Sequence, residues 1–147
     1  MERDAIVDTL NDLIRITEDS HLGLQRAAED TDDETLKAAL NDLSAERAAI
    51  VRDLQLQVAA IGGAPEATGT LLGGAQRLLS GVKAVLGGRD APSILEEVGR
   101  TEEETLRHYD AAIAADLPPE VAEAVAGLAR RIGASRDRLE LLRPQAA

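Results

Sequence analysis

Apolar residues recur at intervals of three and four along four long segments of the chain, and this spacing constrains its fold more than any other feature. Residues at these intervals lie on one face of an α-helix. The first segment, for example, carries Ile6, Leu10, Leu13 and Leu24. The predicted helices span residues 3–29, 33–61, 92–115 and 119–142. Because amphipathic helices bury their apolar faces against one another, the sequence predicts an all-α fold built as a four-helix bundle.

The lengths of the connections predict how these helices are arranged. Only a few residues separate the first helix from the second, and the third from the fourth, so each pair should form an antiparallel hairpin. A long connection from Gly63 to Arg89 joins the hairpins, and its apolar spacing predicts a short helix over about residues 70–86. Two helical hairpins with one long crossover are the arrangement of ferritin-like bundles. We therefore predict one ferritin-like domain over residues 1–147.

The composition supports helices and argues against several kinds of function. Aromatic residues make up 1% of the chain, so aliphatic side chains must form the core, which suits helices better than strands. A formal net charge of −11 would repel nucleic acids. The chain contains no cysteine, which excludes disulfides and thiolate chemistry. With two histidines and no nucleophile-elbow motif there is no candidate catalytic triad, so we expect a non-catalytic protein.

The sequence also bears on membranes and on cellular location. No apolar run reaches the roughly 18 residues that a membrane-spanning helix needs, so we expect no membrane association through a spanning segment. The first residues, MERDAIVDTLND, are acidic and unlike a signal peptide. These two observations predict a cytoplasmic protein.

Polar residues interrupt each apolar stripe near the middle of the predicted bundle. The interrupting residues are Thr17 and His21 on the first helix, Arg47 on the second, Glu102, Thr105 and Tyr109 on the third, and Ser135 on the fourth. Hairpin geometry places Thr17, Arg47 and Glu102 at about the same height. Buried polar side chains are costly unless they have partners. We therefore predict a polar layer in which Arg47 and Glu102 form a buried charge pair that fixes the helix register.

The same region can also be interpreted as a metal site. Glu18 and His21 have the Glu-x-x-His spacing of di-iron helix bundles, and with Glu46 and Glu102 they would offer ligands for iron, manganese or zinc. Di-iron bundles take this motif from two helices, whereas here it occurs on one. Arg47 would also bring a positive charge to the place of the cation. On this ligand count we expect no cofactor, and metal binding remains the alternative.

Four stretches of the sequence carry a resemblance to a known family. They are LNDLI with EDSHLGLQRAAED, LKAALNDLSAERAAIVRDLQ, IGGAPEATGTLLGG, and EEVGRTEEETLRHYDAAI. Together they resemble a bacterial ferritin-like family of domains of unknown function, whose relatives include the YciF-like stress-associated proteins. The resemblance covers nearly the whole chain, and the matching motif residues include Glu46, Arg47, Glu102 and Tyr109. It implies a bundle of ferritin topology and an association with bacterial stress responses.

These observations together predict a non-catalytic, stress-associated or scaffold protein that forms a homodimer. The alternative is a degenerate carboxylate and histidine metal-binding bundle. The crossover offers a further possibility, because it has no acidic residue between Ala67 and Arg89. Its apolar face over residues 70–86 is expected to dock on the bundle, to bind a protein partner or to meet a membrane surface.

Overall fold

A computed structural model describes residues 2–67 and 90–142, and these residues form four α-helices. They are α1 (Arg3–Asp30), α2 (Glu34–Ala60), α3 (Ala91–Ala114) and α4 (Pro119–Leu141). The described residues contain no strand, so the predicted all-α four-helix bundle is confirmed. No helix in this part of the chain is long and apolar enough to cross a membrane. The predicted crossover helix over residues 70–86 lies outside the described residues.

Short polar residues and glycine determine where the helices begin and end. The carboxylate of Asp33 accepts a hydrogen bond from the backbone N–H of Leu36 at 3.0 Å and caps α2. Asp90 caps α3 in the same way, by accepting from the backbone N–H of Ser93 at 2.9 Å. After α2, Gly62 has a φ of +81°, a left-handed conformation that glycine adopts without strain and that ends the helix.

Contacts between helices give the direction of each one. Going up α1 from Thr17 to Ser20, the bonded partners on α3 descend from Tyr109 to Glu102, so α1 and α3 are antiparallel. The pairs Glu46–Ser135 and Asp53–Arg131 show that α2 and α4 are antiparallel as well. Since each hairpin is also antiparallel, the four helices run up, down, down and up. The end of α2 and the start of α3 therefore lie at opposite ends of the bundle.

The core consists of two apolar clusters, one at each end of the bundle. The first contains residues such as Ile6, Leu10, Ile50, Leu54, Val125 and Ile132, together with Tyr109. The second contains residues such as Leu24, Leu36, Leu40, Ile94, Val98 and Leu139. Between the two clusters, polar side chains from all four helices are buried. This polar layer, rather than the apolar core, contains the candidate functional site.

Candidate functional site: a buried polar layer

The guanidinium group of Arg47 lies at the centre of the layer and joins three helices. From α2, its Nε donates a hydrogen bond to the hydroxyl of Ser20 on α1 at 3.1 Å. Its Nη2 donates to Oε2 of Glu102 on α3. The triangle closes because Ser20 donates to Oε1 of Glu102 at 3.0 Å. The Arg47 side chain is 0% exposed and that of Glu102 is 1% exposed, so water does not compete for this ion pair.

The guanidinium is not fully satisfied by this arrangement. Its Nη1 atom is buried and has no hydrogen-bond partner among the described residues. An arginine carries five N–H donors, and leaving donors of a charged group unbonded in the interior costs free energy. The position of Arg47 is therefore maintained by its bonds to Ser20 and Glu102 and by the surrounding packing.

Burial dominates the titration of Glu102. Removal from water raises the pKa of its carboxyl group above the ordinary value, while the Arg47 charge and the hydrogen bonds from Ser20 and Arg47 act in the opposite direction. The nearby negative charge of Glu46 adds to the increase. Arg47 is therefore the group that keeps a carboxylate tolerable at this depth.

A second pair of side chains joins α1 to α3 one turn below the ion pair. The hydroxyl of Thr17 lies 2.6 Å from that of Tyr109 and also donates to the carbonyl oxygen of Leu13 at 2.6 Å. Because the single hydrogen of Thr17 is used in that bond, the hydroxyl of Tyr109 is the donor to Thr17. Burial raises the pKa of Tyr109 to about 12, although the Arg47 charge opposes the shift.

His21 belongs to the contact between α1 and α2 rather than to the ion pair. Its Nδ1 lies 2.8 Å from the carbonyl oxygen of Ser44, which can only accept, so Nδ1 carries a hydrogen. The hydroxyl of Ser44 donates back to the carbonyl oxygen of His21 at 3.1 Å. A protonated Nδ1 has no lone pair to offer a metal ion, which leaves Nε2 as the one ring nitrogen able to ligate.

The remaining predicted residues have separate partners. Glu46 accepts a hydrogen bond from Ser135 at 2.9 Å, which joins α2 to α4. Thr105 is buried and donates to the carbonyl oxygen of Thr101 in its own helix at 2.9 Å. Glu18 is half-buried, and burial raises its pKa while the neighbouring His21 lowers it. Glu46, Glu102 and His21 are thus each bonded to a different protein group.

The geometry bears directly on the predicted metal ligands Glu18, His21, Glu46 and Glu102. Within residues 2–67 and 90–142, no group of three or more histidine and carboxylate side chains is placed so that it could hold a metal ion. The structure brings Glu102 together with Arg47 and Ser20 instead.

Ser20 is a central residue that the sequence interpretation missed. The predicted stripe placed His21 toward the core, whereas the structure buries Ser20 and leaves His21 partly exposed. Both residues follow Thr17 at helical spacing, by three and by four positions, so periodicity alone does not distinguish them. The available signal was that a small hydroxyl three residues after Thr17 fits between packed helices better than an imidazole does.

Comparison with known proteins gives a family and no function. A family model described as a domain of unknown function (DUF2383) matches residues 5–115. The matched region is well over half of the chain and contains Ser20, Arg47 and Glu102. No curated protein matches the chain.

Proposed function

The chain belongs to the DUF2383 family of domains of unknown function, and we propose that it is a non-catalytic bundle of ferritin-like topology with a scaffold or interaction role in bacterial stress. The direction of the helices supports the ferritin-like part. The helices run up, down, down and up, and the end of α2 lies at the opposite end of the bundle from the start of α3. Two hairpins joined by one long crossover require this path. The stress association rests on the sequence resemblance described above.

The position of Arg47 carries the non-catalytic part of the proposal. A metal centre in a helical bundle needs carboxylates and imidazoles that converge on one point. Here the converging carboxylate, Glu102, is bonded to a guanidinium whose side chain is fully buried. A second cation at this point would be repelled by Arg47 and would have to displace a charge-assisted hydrogen bond. The ion pair is therefore best explained as a structural link among α1, α2 and α3.

Elemental analysis tests this proposal directly. The protein should be purified without a histidine tag and assayed for iron, manganese and zinc, both as isolated and after incubation with each metal followed by gel filtration. We expect far less than one metal ion per chain. A stoichiometric metal that disappears in Glu102→Ala but persists in Glu103→Ala would overturn the proposal. Glu103 is the matched control, because it is the adjacent carboxylate and is exposed. That result would instead favour metal binding by Glu18, His21, Glu46 and Glu102.

The interaction role predicts self-association. Sedimentation equilibrium should give a mass twice that of the 15.5 kDa chain. A monomer at every concentration would contradict the homodimer, and the scaffold role would then depend on a different protein partner.

A further inference from the structure

The connection between α2 and α3 has to pass along the outside of the bundle. These two helices face each other through its centre, where Arg47 is bonded to Glu102, and each of them has α1 and α4 as its neighbours. The end of α2 and the start of α3 also lie at opposite ends of the bundle. The chain that joins them must therefore run lengthwise over either α1 or α4.

The first residues after α2 lie on α1. The side-chain amide of Asn11 donates a hydrogen bond to the carbonyl oxygen of Ala64 at 3.1 Å and accepts one from the backbone N–H of Glu66 at 2.8 Å. The carboxylate of Glu66 also pairs with Arg15 at 3.3 Å. Because α1 lies between α2 and the groove that α1 forms with α3, a chain attached here reaches the start of α3 across that groove.

Two adjoining hollows form this α1–α3 groove, and they share three lining residues, which are Asp19, Ser20 and Thr101. In the hollow nearer the start of α3, apolar side chains from both helices form the floor, and they are Leu24, Ala27, Ile94 and Val98. The groove thus offers apolar contacts along its length between the attachment at Arg15 and the start of α3.

Gly23 makes the middle of the groove flat. It lines the groove and lies well inside α1, where glycine is less favourable than alanine. A Cβ atom built on it would meet no atom of the described residues within 4 Å, so packing among α1–α4 does not require a glycine here. A helix surface without a side chain lets another part of the chain approach it closely.

The length of the connection fits the groove if the connection is helical. Between Arg15, where the chain is attached, and Asp30, α1 rises by about 22 Å. The helix that the sequence predicts over residues 70–86 would be about 25 Å long, whereas the same residues fully extended would span about 55–60 Å. Residues 67–69 and 87–89 would then join this helix to the bundle.

The connection and the groove carry opposite charges. Arg77, Lys83 and Arg89 are the only charged residues between Ala67 and Arg89. Besides the paired Glu102, the groove is lined by carboxylates from both helices together with Arg26 and His108, and these carboxylates are Asp19, Asp30, Glu97 and Glu104. In the predicted helix, Arg77 and Lys83 flank the apolar side centred on Leu78 in opposite directions, so a helix in the groove would turn one of them toward each wall.

We propose that residues 70–86 form a fifth helix that binds in the α1–α3 groove, with Leu78 against Gly23. Residue 78 is the middle of the predicted helix, and Gly23 is at the middle of the stretch of α1 from Arg15 to Asp30. The bound helix covers Ser20, and a protein partner or a second copy of the chain then has to bind elsewhere. This proposal does not depend on the scaffold role.

Cysteine cross-linking of the full chain tests the proposal, because the parent sequence has no cysteine. A disulfide needs Cα atoms about 4.4–6.8 Å apart, so the double variant Gly23→Cys with Leu78→Cys should form one within a single chain on oxidation. Ala75→Cys and Val82→Cys, each combined with Gly23→Cys, cover a shift of one helical turn. Non-reducing electrophoresis and mass spectrometry of the linked peptides measure the rate and the product.

Gly133→Cys with Leu78→Cys is the matched control. Gly133 is also inside a helix with no atom of the described residues within 4 Å of its Cβ position, and it does not line the groove. We expect the best Gly23→Cys pair to cross-link at least about tenfold faster than this control. Equal rates would overturn the proposal. So would a product of twice the 15.5 kDa mass of the chain, which would show that a second copy occupies the groove.

Hydrogen exchange provides a test without thiols. We expect the amides of residues 70–86 to exchange at least about tenfold more slowly than those of the isolated peptide. Gly23→Leu places a side chain where Leu78 would bind and should remove that protection, whereas Gly133→Leu should not. An unprotected segment in the parent chain, or full protection in a folded Gly23→Leu variant, would contradict binding in this groove.

Discussion

The guanidinium of Arg47 on α2 and the carboxylate of Glu102 on α3 form an ion pair that is enclosed on all sides, and Ser20 on α1 is hydrogen-bonded to both. Desolvating two charges costs about as much as their attraction returns, so such a pair contributes little to stability relative to well-packed apolar residues. Removing one partner is different, because it leaves the other charge buried without compensation. The pair therefore makes one relative placement of three helices much more favourable than its alternatives.

Replacing Arg47 or Glu102 alone should destabilise the fold much more than replacing both. We expect Arg47→Met or Glu102→Leu alone to lower the free energy of unfolding by about 3–5 kcal/mol, and the double variant to recover most of that loss. Urea unfolding followed by circular dichroism measures all three.

The exposed pair Arg131–Asp53 provides the control for this cycle. Its atoms are 3.2 Å apart and its side chains are 43% and 49% exposed. We expect Asp53→Ala to change the free energy of unfolding by less than about 1 kcal/mol. A double variant of Arg47 and Glu102 as unstable as the sum of its singles would refute the interpretation of the pair as a device for helix placement.

Ser20 should be more important than its size suggests. Ser20→Ala would leave both Nε of Arg47 and Oε1 of Glu102 without the partner that now bridges them. We expect a loss of about 1–3 kcal/mol in the free energy of unfolding. Thr101→Ala, which removes an exposed hydroxyl bonded within its own helix, should be close to neutral. Equal effects of the two substitutions would show that Ser20 does not bridge the ion pair.

Tyr109 should ionise only in strongly alkaline solution. Its pKa is raised to about 12 by burial, and because the chain has no other tyrosine and no tryptophan, the ultraviolet absorbance of tyrosinate reports this one residue. We expect an absorbance transition near that pH in the folded protein. A transition at the ordinary tyrosine pKa in the folded state would contradict the buried position.

The same shift predicts how alkali affects stability. The folded-state pKa of Tyr109 exceeds its unfolded value of 10.0, so its contribution is fully present below that pH and is lost as the pH rises toward about 12. A shift of this size corresponds to about 2–3 kcal/mol. Urea unfolding across this pH range should show the free energy of unfolding of the parent protein falling as the pH rises. The free energy of unfolding of Tyr109→Phe, measured alongside, should fall less.

Mild acid should stabilise the fold. The pKa values of Glu18 and Asp19 are both raised by burial, so the folded state binds protons more readily than the unfolded chain at these positions. Stability from such groups is greatest below their unfolded pKa values and falls as the pH rises through the folded ones. The net charge of −11 acts in the same direction. We expect the free energy of unfolding to increase as the pH is lowered from 7 toward about 5, and a steady decrease would contradict this balance.

Helices could be predicted from the sequence because their apolar spacing is a local property of each segment. The sequence does not show which of two neighbouring polar residues, such as Ser20 and His21, faces the core. Ser20 and His21 both continue the stripe from Thr17. Which of the two is buried depends on the positions of their partners on other helices, Glu102 and Ser44. The same holds for Glu46, whose partner Ser135 is far away in the chain. Local periodicity gives the elements, while contacts between distant residues decide the site.

The up, down, down and up path also separates the start of α1 from the end of α4, and this has a practical consequence for engineering. The two points lie at opposite ends of a bundle whose helices, at 28 residues for α1, are about 40 Å long. A circular permutant joining them by a short loop would be unable to fold, whereas copies fused in tandem would extend end to end as a rod.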